Sequence, residues 1–138
     1  MKNSRFLCLL TVLTAAFCSA NSALAGTPNL VGTWSGAYDL STPAGMRKSA
    51  AVLVITKQTG ANFEATRTWK RMDGTLGHHK GKAVSTASDK FLGVIGFDGK
   101  SIVLVKSGHG PENQGQLCGK IVGNKLELIL IQSGEVAR

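Results

Sequence analysis

Few side chains in this sequence are of types that do chemistry, and their spacing limits what they could do. His78 and His79 are adjacent. On an extended segment they point to opposite faces and cannot hold one ion together without a bulge. His109 and Glu112 fall in the irregular stretch Ser107 to Asn113, which a simple meander puts at the opposite end from the loop before His78. Solvated loop histidines are the reading this spacing favours, and no metal site or cofactor is expected. No nucleophile elbow accompanies any serine. The eight acidic residues sit mostly at turns or beside neighbours of opposite charge, so no catalytic pair can be picked out. A non-enzymatic protein is expected.

The basic residues are more informative. Arg67 alternates with Phe63 and Trp69, so it shares their face. A guanidinium turned inward needs partners, since an unpaired buried charge costs several kcal/mol. Two readings follow: a structural arginine bonded to carbonyls or stacked on Trp34 or Trp69, or a ligand-recognising one. Arg47, Lys48 and Arg71 flank two loops that a meander brings to one end, with Met46 and Met72 beside them. They would rim a mouth suited to a small anionic or amphipathic molecule; solvated loop tips are the alternative. The candidate ligand set is therefore Trp34, Tyr38, Arg47, Lys48, Arg67, Trp69 and Arg71. A second candidate is a protein-contact loop through His109, Pro111, Glu112 and Asn113. It would suit an exported inhibitor or a module binding an envelope protein.

Short strands must position these groups. Leu30 to Leu40 places Leu30, Trp34, Tyr38 and Leu40 on one face with Gly32 and Gly36 between them. Ser41 to Lys48 reads as a loop punctuated by Pro43 and Gly45. Ala50 to Gln58 and Phe63 to Arg71 alternate as second and third strands. Met72 to Gly77 is a loop, His78 to Ser85 a weaker fourth strand with Gly81 and Ala83 facing inward, and Thr86 to Asp89 a turn. Phe91 to Phe97 and Ser101 to Lys106 follow, joined through Asp98-Gly99 as a two-residue hairpin turn. Gln114 to Val122, the Gly123-Asn124 turn and Lys125 to Ser133 complete the set, and Gly134 to Arg138 reads as a tail. Outside the leader no segment has an apolar period of 3.6. The expected fold is an all-β, eight-stranded antiparallel up-and-down barrel, closed by pairing of the first and eighth strands. Its interior is expected to be mostly filled.

Lys2 and Arg5, the apolar run Phe6 to Phe17 and Ala23-Leu24-Ala25 read as a helical signal peptide over 1–25, cut after Ala25. Residues 26–138 form one domain with no second apolar span, so a stable membrane span is not expected. The periplasm or the extracellular space is the expected compartment. Cys8 and Cys18 leave with the leader, so Cys118 has no intramolecular partner. It reads as an inert, buried thiol. The formal charge falls from +8 to +6, with 14 basic against 8 acidic residues. Basic residues are scattered along the strands and not interleaved with aromatic ones, which argues against nucleic acid.

Gly32-Thr33-Trp34 at the head of such a barrel resembles the opening of calycins, the superfamily of lipocalins and avidins. That likeness implies the barrel and a ligand-binding interior. The chain departs from avidins in having only Trp69 after Trp34, and from lipocalins in lacking a helix after the strands. Three stretches, Gly32 to Gly36, Ile55 to Phe63 and Phe91 to Lys100, resemble small secreted bacterial proteins of no assigned function. That second likeness implies fold and export.

Overall fold

A computed structural model describes residues 26–108 and 115–132 and the backbone of 135–137. The expected leader over 1–25 lies outside the described residues, as do His109, Pro111, Glu112 and Asn113. The described chain is all β, with no helix among the described residues. Seven long antiparallel strands curl into a nearly closed barrel. They are β1 (Gly32–Thr42), β2 (Gly45–Thr59), β3 (Asn62–Arg71), β6 (Thr86–Ile95), β7 (Ser101–Lys106), β8 (Gly115–Val122) and β9 (Lys125–Gln132). The short β10 (Glu135–Ala137) bridges β9 to β1 at one end, giving the order β1-β10-β9-β8-β7-β6-β3-β2. Alternation drives the curl. Leu53, Ile55, Phe63, Ala65, Trp69, Phe91, Ile95, Ile102, Leu104, Leu117 and Leu130 are buried, while the residues between them mostly face out.

Neighbours are fitted closely inside. Phe63 lies over Gly93, where an added Cβ would sit 2.3 Å from the ring. Leu30 is buried with the core although it precedes β1. Its N–H donates to Gln58 Oε1 at 2.8 Å, and Gln58 Nε2 donates to the Pro28 carbonyl at 2.8 Å. The chain before β1 is thus tied to the end of the barrel opposite β10. Trp34 Nε1 donates to the Leu30 carbonyl at 3.0 Å, which fixes the indole at the same end.

Several expectations need correction. Ser41 to Lys48 is not a loop: Thr42 pairs with Gly45, leaving Pro43-Ala44 as the turn between two long strands. His78 to Ser85 supplies no barrel strand. It folds into a separate hairpin, β4 (Gly77–His79) with β5 (Lys82–Val84), so Gly81 and Ala83 are exposed and β3 pairs directly with β6. Thr86 to Asp89 is strand, because β6 starts five residues before Phe91 to complete its pairing with β3. Asp98-Gly99 lies within a five-residue loop, 96 to 100, whose N–H groups the Asp98 carboxylate collects at Lys100 and Ser101. Phe97, expected inside, projects from that loop fully exposed. The expected tail contains β10, so β9 meets β1 through it and not directly.

Removing one strand from the wall reverses the end at which every later loop emerges. The connections after β1, β3, β7 and β9 share the β10 end; those after β2, β6 and β8 share the other. The chain leaving β7 and entering β8 is therefore at the same end as the hairpin bearing His78, not opposite it.

Candidate functional site

The short β10 leaves the wall incomplete. It meets β1 at Leu40 and Ser41 only, and β9 from Leu130 to Gln132 only. Beyond it, Gly32 to Asp39 pair with β2 and Lys125 to Ile129 with β8. Among the described residues no strand covers their other edges. Between those edges lies a cavity of about 1090 Å³ that opens to solvent. Its walls are mostly apolar, with Trp34, Tyr38, Leu53, Leu117, Leu126 and Leu128 among them. Arg67 also lines it.

Arg67 is held at the middle of β3, between Leu53 of β2 and Asp89 of β6. Only 6 % of its surface is exposed. Its guanidinium lies over Phe91, 5.8 Å from the ring centroid, and its Nη2 is 3.8 Å from Asp89 Oδ2. That separation is too long for a hydrogen bond, and Arg67 Nε has no hydrogen-bond partner among the described residues. Asp89 is engaged more closely elsewhere: Lys106 Nζ stands 3.2 Å from its Oδ1, and His79 Nδ1 is 3.6 Å from the same oxygen. Arginine at this position is thus a buried cation whose carboxylate is shared with a nearer lysine.

Arg67 also faces a second, polar cavity of about 20 Å³ towards the β10 end, bordered by Trp69, Arg71, His78, His79, Asp89 and Lys106. Arg71 is buried there. Its Nη1 donates to Ser49 Oγ at 3.1 Å, and its guanidinium lies 5.6 Å from the Trp69 ring centroid. Chain returning from the β4–β5 hairpin crosses this end. The Arg71 N–H donates to the Ser85 carbonyl at 2.8 Å, and Gly77 is buried where an added Cβ would come within 2.7 Å of the Trp69 ring.

The residues expected to form a mouth therefore separate. Trp34, Tyr38 and Arg67 meet in the large cleft, and Tyr38, Arg67, Trp69 and Arg71 border the small cavity. Arg47 and Lys48 border neither; they lie on β2 opposite Leu40 and Asp39, and Arg47 Nη2 donates to the Ala44 carbonyl at 3.4 Å. Arg67 stacks on Phe91, not on either tryptophan. Cys118 is half-buried, with Gln116 Nε2 3.3 Å from its sulfur. Sequence reasoning missed Asp89, Lys106 and Ser49. Each was within reach, since continuing the alternation of Phe91, Leu104 and Leu53 by two or four residues sets all three on the inner face.

No protein-family model, curated protein or solved structure matches the chain significantly.

Proposed function

We propose that the protein is an exported, calycin-like barrel, eight-stranded when β10 is counted, that binds an elongated, mainly apolar molecule with one anionic group. The ligand lies in the β1–β9 cleft and directs its anion to Arg67. One observation carries this reading: a buried guanidinium, loosely matched to the one carboxylate paired with it among the described residues, lines a large apolar cleft. A ligand carboxylate there gains charge-assisted hydrogen bonds to a largely buried guanidinium. Trp34, Leu53 and Leu128 bury the apolar part. The cleft replaces the mouth rimmed by Arg47 and Lys48 as the place of binding, and no step of covalent chemistry is assigned to it.

Dodecanoate and dodecanol, which share a chain and differ in head group, test this by calorimetric titration. The expected result is at least about tenfold tighter binding of the acid, roughly 1.4 kcal/mol, which Arg67→Gln erases. Equal affinities in the unaltered protein, or binding of neither, would contradict it.

A further inference from the structure

Two rows of backbone groups face each other across the cleft. β10 enters between them from one end, antiparallel to both neighbours, with Ala137 opposite Leu40 of β1 and Leu130 of β9. Past the position next in sequence to Ala137, this register sets one place between Tyr38 and Leu128 and a later one between Gly36 and Leu126. Residues 125 to 128 thus offer four places at which the residues of an added strand would bond alternately to β1 and to β9. Donors and acceptors that recur every second residue, about 6.7 Å apart, along both walls match a polypeptide backbone.

Resting on the reading of the cleft as the binding site, we propose that its ligand is an extended polypeptide segment. It adds as a strand between β1 and β9 on the line of β10. Alternate side chains turn inward, one beside Tyr38 and Leu128, the other beside Gly36 and Leu126, where an added Cβ at Gly36 meets nothing within 4 Å. The inward positions favour apolar residues, and the carboxylate that Arg67 takes is a peptide carboxylate.

The test uses the full chain and a four-residue peptide of alternating leucine and threonine with a free terminal carboxylate. A copy N-methylated at alternate amides and dodecanoate serve as comparisons. Hydrogen exchange at the gap-facing amides of 35–38 and 125–128 should slow with the peptide and not with dodecanoate, and N-methylation should weaken binding at least about tenfold. If dodecanoate binds while the peptide protects neither edge, or if the N-methylated copy binds equally well, strand addition is overturned and the cleft reading stands. Binding of neither compound overturns both.

Discussion

Asp89 organises the polar side of the interior. It is the carboxylate nearest to both Arg67 and Lys106, and the side chains of all three are buried. Asp89→Asn leaves two cations confined in low dielectric, so a loss of about 3–5 kcal/mol is expected in urea denaturation. Gly93→Ala drives a methyl group into the Phe63 ring and should cost about 1–3 kcal/mol. Two carboxylates on the surface contribute to the acid limb of stability. The Ser101 hydroxyl, then the Lys100 and Ser101 N–H groups, hold Asp98 at about 2; the Thr75 hydroxyl holds Asp73 at about 2. Both are depressed from an ordinary value near 4, so their contribution is complete above that pH and disappears as pH falls towards 2. Melting temperatures between pH 4 and 2 should fall less steeply in Asp98→Asn than in the unaltered protein. An unchanged slope would refute this. Arg67 was visible in the sequence because charge on an apolar face breaks an alternation. Asp89 was hidden because Ser88, Asp89 and Lys90 look like turn residues when read alone.

At the level of elements, length decided what could be seen. Strands of six residues or more show their alternation, and Gly123-Asn124 marks its turn. β4, β5 and β10 have three residues each, too few for a period of two to register. The hairpin still left one trace: Lys80-Gly81 forms its two-residue turn, and both residues take positive φ, 50° at Lys80. That conformation costs lysine about 1 kcal/mol relative to glycine. Lys80→Gly should raise the urea midpoint, by up to about 1 kcal/mol of stability. β10 closes the barrel through backbone pairs on each side of Val136, opposite Ser41 and Ile131. Val136→Pro removes a ladder donor there and should cost about 1–2 kcal/mol. Faster amide exchange at Leu40 and Leu130 would report the opened closure.

The whole molecule follows from one strand that is not in the wall. With the chain of 77–84 displaced into a hairpin, the barrel has to close through β10, and β10 is too short to do so along its full height. The result is a cleft in the wall in place of the expected mouth. Arg67, the arginine that alternation had already set on the inner face, lines it. The interior, expected to be mostly filled, instead holds that cleft, lined by Trp34 while its indole bonds to the Leu30 carbonyl. The measurement that bears most directly on this account is a nuclear magnetic resonance titration with dodecanoate. The account predicts that the largest shifts fall on Trp34, Arg67, Leu126 and Leu128, with Arg47 and Lys48 unmoved. Shifts concentrated at Arg47 and Lys48, or none at saturating dodecanoate, would contradict it.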